Sequence, residues 1–173
     1  MLISIISAGI IIFGSTYIGV SFANKYELSV NQIVGFVNAL KMLEFDISYL
    51  RLPLNDAFER IAKGQNGVVK SIFEYMAKEL SSKKCEDVGI LFKRAISNYE
   101  KELLIGEEAT AVLYDFSKNM GCMDVENEIA NIKTASMKLK YFEEEAREKS
   151  KHDGKMCRGL GLLTGIFIVI MLI

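Results

Sequence analysis

Long uncharged apolar stretches lie at both ends of the chain. Leu2 to Asn24 contains no charged side chain, and Gly159 to Ile173 is uncharged and mostly apolar. A helix needs about 20 apolar residues to cross a bilayer, so the first stretch predicts a transmembrane helix. The second stretch reaches spanning length when Lys155 and Arg158 extend their charged ends to the membrane surface. The pattern therefore predicts a protein with two membrane spans.

Between these stretches, apolar residues recur every three or four positions, which is typical of amphipathic helices. The first predicted helix starts with a capping box of Ser29 and Gln32, and the second starts at Pro53, the only proline. The last runs without a proline from Asp124 into the second apolar stretch. Caps and helix breakers together divide this part into six helices, at residues 29–51, 53–64, 68–80, 87–99, 107–120 and 124 onward.

The middle segment contains no convincing alternation of apolar and polar residues of the kind found in strands. The predicted fold is therefore all-α, a six-helix cytosolic bundle between an N-terminal and a C-terminal transmembrane helix, with the last soluble helix continuing into the membrane. The predicted domains are the first transmembrane helix at 1–25, the bundle at 26–155 and the second transmembrane helix at 156–173.

Charge distribution predicts the orientation in the membrane. Every Lys and Arg lies between Lys25 and Arg158, and basic residues cluster before the second span. Positively charged flanks stay on the cytoplasmic side, so the middle segment is expected in the cytoplasm and both termini outside. A cleaved secretory signal is the competing interpretation of the N-terminus, although no Lys or Arg precedes its apolar run.

Composition narrows the classes of function. The net charge is −1 and the mean hydropathy is +0.21, so no basic field points to a nucleic-acid partner. Cys85, Cys122 and Cys157 form no Cys-x-x-Cys pair, which suits three free thiols in a reducing cytosol. The single histidine, His152, lies in a charged stretch, and no nucleotide-binding or nucleophile motif occurs. We therefore expect no enzyme, no catalytic or metal site and no cofactor.

Small residues in the two apolar stretches are candidates for close helix packing. Ser15, Gly19 and Ala23 are spaced four apart and share one helix face. Gly161 and Gly165 form a small-xxx-small pair in the second stretch. Such residues let helix backbones approach within a membrane, either between the two spans or against another subunit.

An acidic patch precedes the second span and is a candidate partner contact. It consists of Glu143, Glu144, Glu145 and Glu148. These residues would suit a basic surface on a cytoplasmic partner or a divalent cation. They also suit a solvated helix face on which Glu145 pairs with Lys149 at i,i+4 spacing.

Five short segments, in order along the whole chain, carry a resemblance to a known family. They are Phe22-Ala23-Asn24-Lys25, Ala39-Leu40-Lys41-Met42-Leu43-Glu44-Phe45-Asp46-Ile47, Pro53-Leu54-Asn55-Asp56-Ala57-Phe58, Phe116-Ser117-Lys118-Asn119-Met120-Gly121 with Asp124, and Leu160-Gly161-Leu162-Leu163-Thr164-Gly165. Together they resemble the stage III sporulation protein AB family of endospore-forming bacteria. Two positions depart from the family pattern: Ser117 stands where the family often has Gly, and Phe92 where it often has Trp. Both departures are tolerable packing changes.

The resemblance implies a membrane component of the secretion-like channel complex between mother cell and forespore. The family's cytosolic bundle is similar to the inner-membrane platform protein of type II secretion and type IV pilus machines. By that analogy, the chain is a non-enzymatic adaptor whose partners are a cytoplasmic secretion-type ATPase, other membrane subunits and the lipid bilayer. Three alternatives are a platform subunit of a general secretion or pilus system, a membrane-anchored regulatory bundle and a membrane enzyme.

Overall fold

The computed structural model describes residues 2–82, 87–121 and 124–172. These residues contain no strand, which confirms the predicted all-α class. A π-helical turn, Asp46–Leu50, follows the first helix, and a 3-10 turn, Glu100–Glu102, follows the fourth. The described residues form six α-helices: α1 (Leu2–Phe45), α2 (Leu54–Gly64), α3 (Gly67–Ser81), α4 (Val88–Asn98), α5 (Glu107–Asn119) and α6 (Val125–Leu172).

The chain forms two compact units. The first combines Met1–Val30 with Glu145–Ile173, and the second comprises Asn31–Glu144. Helices α1 and α6 each contribute residues to both units, whereas α2 to α5 belong to the second alone.

A ladder of buried phenylalanines links α2 to α5 in the second unit. The ring centroids of Phe58 and Phe73 are 5.9 Å apart, those of Phe73 and Phe92 6.1 Å, and those of Phe92 and Phe116 5.7 Å. Tilted and edge-to-face aromatic pairs are favourable beyond the area they bury. Helices α1 and α6 complete this core with buried apolar side chains that include Phe36, Leu40, Leu43, Ile132, Ala135 and Leu139.

Local sequence explains most of the helix boundaries. Pro53, with φ −57°, precedes α2, and its carbonyl accepts the N–H groups of Asp56 and Ala57. The Asp87 carboxylate caps α4 by accepting the Gly89 N–H at 2.7 Å. Gly121 has φ +77°, a conformation that glycine adopts freely, in the turn between α5 and α6. These boundaries lie within a residue of those predicted from the sequence.

The predicted helix start at Ser29 is wrong. Residue 29 lies inside α1, which runs unbroken from Leu2 to Phe45. The residues before Ser29 are helical and supply carbonyl acceptors, so there is no free N–H group for a capping box to satisfy. Gln32 instead makes tertiary hydrogen bonds: its amide donates to the Glu102 carbonyl at 2.9 Å and accepts the Leu104 N–H at 2.7 Å.

Candidate functional site

In the first unit, the segment of α1 around Gly19 and the segment of α6 around Gly161 touch through their backbones. A Cβ atom added to Gly19 would lie only 2.6 Å from the Cys157 carbonyl oxygen and 3.1 Å from the Gly161 Cα. A Cβ atom on Gly161 would lie 2.9 Å from the Ser15 carbonyl oxygen. The Ser15 hydroxyl also donates to the Gly161 carbonyl. Such close approach requires glycine at both positions.

The remaining small residues extend this contact in both directions along the helix pair. A Cβ atom on Gly165 would lie 3.0 Å from the Ile12 Cα, and one on Gly154 would lie 4.0 Å from the Ala23 Cβ. Ala23 itself is only 2% exposed. The structure thus places all five sequence-selected small residues in one helix–helix contact. Gly154 was not among them, although it lies seven residues, or about two helical turns, before Gly161.

The outer faces of the same two segments are apolar and exposed. Large exposed apolar surfaces of this kind are unfavourable in water and suit lipid or a protein partner. Among the described residues, one helix is long and apolar enough to cross a bilayer, with its apolar part in α6 between Val125 and Met171. This finding is consistent with membrane association. The exposed side chains include Phe13, Tyr17, Phe22, Phe167, Ile170 and Met171.

The four residues of the sequence-selected acidic patch lie on α6. Glu144 and Glu148 are exposed, while Glu143 and Glu145 are partly buried. Glu145 pairs with the Lys149 ammonium at 2.6 Å, the i,i+4 pair expected from the sequence. Two exposed carboxylates on a regular helix can pair with a basic surface without moving the backbone.

A buried ion pair lies at the end of α1, where the sequence indicated no site. Asp46 is 1% exposed, and its carboxylate lies 3.0 Å from the half-exposed Arg60 guanidinium. Burial raises the pKa of the Asp46 carboxyl, and the Arg60 charge opposes that shift. The sequence signal was a charged residue three positions after Leu43, within an otherwise apolar stripe.

A second buried carboxylate stabilises the turn between α5 and α6. Glu128 is 6% exposed, and one of its oxygens accepts the Gly121 N–H at 3.1 Å. The other oxygen is buried without a hydrogen-bond partner among the described residues. Burial raises the pKa of the Glu128 carboxyl, and the bond from Gly121 opposes that shift.

The described residues contain no group of three or more His, Cys, Asp or Glu side chains that could hold a metal ion. His152 contacts the neighbouring Asp153 carboxylate at 2.9 Å and is exposed. The polar geometry described above is that of helix packing, capping and ion pairing.

Comparison with known proteins agrees with the resemblance in the sequence. The family model for stage III sporulation protein AB matches residues 4–173. Stage III sporulation protein AB of Bacillus subtilis (strain 168) is 25% identical over 171 residues, which cover 99% of each chain. A solved structure of a stage III sporulation protein AB shares the fold, with a TM-score of 0.64 and 24% identity. The matched region covers 69% of this chain and 93% of the chain in the solved structure. With a match over nearly its whole length, the chain belongs to the stage III sporulation protein AB family.

Proposed function

We propose that the protein is a non-enzymatic platform or adaptor subunit of a secretion-like channel complex in endospore formation. It would couple a cytoplasmic secretion-type ATPase to membrane components of the channel between mother cell and forespore. The family name supplies the link to sporulation. The adaptor role is an inference from the arrangement of apolar and polar surfaces.

The observation that carries the proposal is the contrast between the two units. The first exposes large apolar side chains such as Phe13 (78%) and Phe167 (67%), as a lipid-facing helix pair would. The second encloses its own aromatic core, in which Phe58 and Phe92 are fully buried. One chain thus combines a surface suited to lipid with a bundle suited to water.

In this proposal, the two apolar helix segments are membrane spans, the middle of the chain is cytoplasmic and both termini are outside. The basic residues before the second apolar stretch support that orientation. Helices α1 and α6 each continue from one unit into the other without a break. A force applied to the bundle would therefore reach the membrane along two hydrogen-bonded backbones.

The exposed carboxylates of α6 are our proposed contact for a basic surface of the ATPase. The side chains of Glu144 and Glu148 are exposed and accessible to a partner. Complementary charge mainly raises association rate and specificity, so the contact would be sensitive to salt and to charge reversal.

Affinity purification from intact membranes tests the proposal. The tagged full chain is solubilised in mild detergent from sporulating and vegetative cells, and co-purifying proteins are identified by mass spectrometry. We expect a secretion-type ATPase from sporulating cells only, with recovery reduced about tenfold by joint reversal of Glu144 and Glu148 to Lys. Joint reversal of Glu100 and Glu102, exposed acidic residues of the 3-10 turn, is the matched control and should change little.

Two other outcomes would contradict the proposal. Recovery of the ATPase from both cell types would favour a general secretion platform. If neither an ATPase nor a membrane-channel subunit is recovered even after cross-linking, the adaptor role fails.

A further inference from the structure

The second unit exposes an aromatic surface at the end of α1. Phe45 is 46% exposed and Tyr49 is 78% exposed, and their ring centroids are 5.3 Å apart. Leu50, beside them, is 44% exposed. Clustered large apolar side chains at a surface commonly mark a site of protein interaction.

The backbone beneath these side chains is unusual. Helix α1 passes into a π-helical turn, Asp46–Leu50, and Arg51 follows with φ 49°. Among the described residues, Arg51 is the one non-glycine residue with a positive φ. Both features are costly and are often found at functional positions. The buried Asp46 stabilises the turn, since its carbonyl accepts the Leu52 N–H at 3.1 Å and its carboxylate pairs with Arg60.

The charges around the aromatic pair are unbalanced. Lys41 lies one helical turn before Phe45 and is exposed, as is Arg51. Within the described part of the chain, no carboxylate forms an ion pair with either cation. The neighbouring carboxylates have partners, because Glu44 pairs with Lys133 at 3.5 Å and Asp46 with Arg60 at 3.0 Å. The segment 41–51 therefore carries two exposed cations, without an ion pair among the described residues, and two exposed rings.

We propose that Lys41, Phe45, Tyr49, Leu50 and Arg51, here called the π-turn surface, bind an acidic segment of a partner protein. An apolar side chain of that segment would cover the two rings, and its carboxylates would pair with the two cations. Tyrosine and arginine are among the residues enriched at the energetic centres of protein interfaces.

Charge also argues against an anionic membrane as the occupant. Basic clusters that bind acidic lipids usually contain about four to eight Lys or Arg residues. The π-turn surface has two exposed cations and an aromatic pair, which fits a protein better. The inference rests on the proposed function only in placing this surface in the cytoplasm.

Site-specific photo-cross-linking of the full chain in sporulating cells tests the inference. The probe p-benzoylphenylalanine is placed at position 49, and at Ile90 as a control, since that α4 side chain is 56% exposed. We expect an adduct at position 49 whose cross-linked peptide, mapped by mass spectrometry, is rich in Asp and Glu. Position 90 should not give that peptide.

Two variants test whether the Arg51 guanidinium and the Lys41 ammonium are needed for the contact. Arg51→Gly removes the charge and keeps the positive φ, which glycine adopts without strain, so the turn is preserved. Lys41→Glu reverses the second cation. Each should lower the adduct yield by about tenfold or more, as loss of an energetically central interface residue does. Lys93→Glu, at an exposed lysine of α4, should leave the yield unchanged.

Several results would overturn the inference. These are an adduct with phospholipid or with a second copy of the chain alone, a cross-linked peptide without carboxylates, an unchanged yield in Arg51→Gly, or no adduct. An acidic peptide from another cytoplasmic protein would support the π-turn surface even if no ATPase is recovered by affinity purification. Recovery of the ATPase without an adduct at position 49 would overturn the π-turn surface alone.

Discussion

At the scale of single residues, the two buried carboxylates are the most consequential polar groups of the second unit. Asp46 and Glu128 are buried, and a buried charge is costly unless it is paired. Asp46 has the Arg60 guanidinium, and Glu128 has one backbone N–H group. The effect of each carboxylate on the free energy of unfolding therefore has a predictable direction.

Removal of Arg60 should destabilise the protein. Arg60→Ala leaves the Asp46 carboxylate buried without its partner, and we expect the free energy of unfolding to fall by about 2 kcal/mol. The arginine is half exposed, which keeps the effect below that of a fully buried pair. Urea unfolding of the full chain in detergent measures it.

A second pair on the same helix is the control for that prediction. Lys63 and Glu59 are exposed and lie 2.7 Å apart, so Lys63→Ala should change the free energy of unfolding far less than Arg60→Ala does. Adding Asp46→Leu to Arg60→Ala should recover much of the loss, because no unpaired buried charge then remains at this position. Equal effects of Arg60→Ala and Lys63→Ala would show that the burial of Asp46 does not matter.

Glu128 should make stability depend on pH in the direction opposite to that of a salt-bridged acid. Its raised pKa means that the folded state binds the proton more tightly than the unfolded state does. Its stabilising contribution is fully present below the ordinary value of 4.5 and is lost as the pH rises through the raised pKa. Unfolding free energies measured from acid to neutral pH should show this loss in the wild type and a flatter profile in Glu128→Gln.

The exposed Glu59 is the control for that profile. The hydrogen bond and charge of Lys63 lower the pKa of Glu59, so its contribution is lost as the pH falls. Glu59→Gln should therefore alter the profile with the opposite sign. The pKa of Asp46 is also raised, so the unfolding free energy of Glu128→Gln should still fall somewhat as the pH rises. Parallel profiles for the wild type and Glu128→Gln would contradict the assignment.

At the scale of elements, local sequence patterns predict some helix boundaries correctly and others incorrectly. Pro53 and Asp87 allow α2 and α4 to be located, because each acts through the backbone groups next to it. Ser29 and Gln32 carry an equally good capping signature, yet they lie inside α1. A local pattern does not state whether the preceding residues are helical, and that depends on their own packing.

The π-helical turn and the buried ion pair could not be predicted either. Residues 46–50 have no composition that distinguishes a π-helical turn from an α-helical one. The pairing of Asp46 with Arg60 joins residues from two elements, and only the fold brings them together. The small residues of the apolar stretches were accessible from the sequence, since their four-residue spacing alone places them on one helix face.

The helix pair of the first unit should be sensitive to the size of residue 19. A disulfide between Ala23→Cys and Gly154→Cys reports on the pair, because the two Cβ positions are 4.0 Å apart, within the range for a disulfide. In a chain with its three natural cysteines changed to Ser, oxidation should form this bond nearly completely. Adding Gly19→Ile should reduce its yield severalfold, since even a Cβ atom there would meet the Cys157 carbonyl oxygen.

Gly14 offers a matched control on the same helix. A Cβ atom added to Gly14 meets nothing within 4 Å, so Gly14→Ile should leave the disulfide yield unchanged. Loss of the disulfide in both variants would indicate a general effect of bulk in α1. An undiminished yield in Gly19→Ile would contradict the close backbone contact.

At the scale of the whole molecule, the proposed function depends on the orientation of the chain in the membrane. An ATPase in the cytoplasm can act on the second unit only if that unit faces the cytoplasm. The basic residues before the second apolar stretch predict that side, and the absence of charge beyond Arg158 predicts that the C-terminus crosses.

Cysteine labelling of intact cells tests this orientation in the same cysteine-free chain. Single cysteines are introduced at the two termini and at Lys93, an exposed position on α4. A membrane-impermeant maleimide should label both terminal cysteines in intact protoplasts and Lys93→Cys only after permeabilisation. Labelling of Lys93→Cys in intact protoplasts would place the second unit outside, where no cytoplasmic ATPase could reach it. Labelling at the C-terminus alone would leave α6 as the single span, with α1 held to the membrane through its contact with α6.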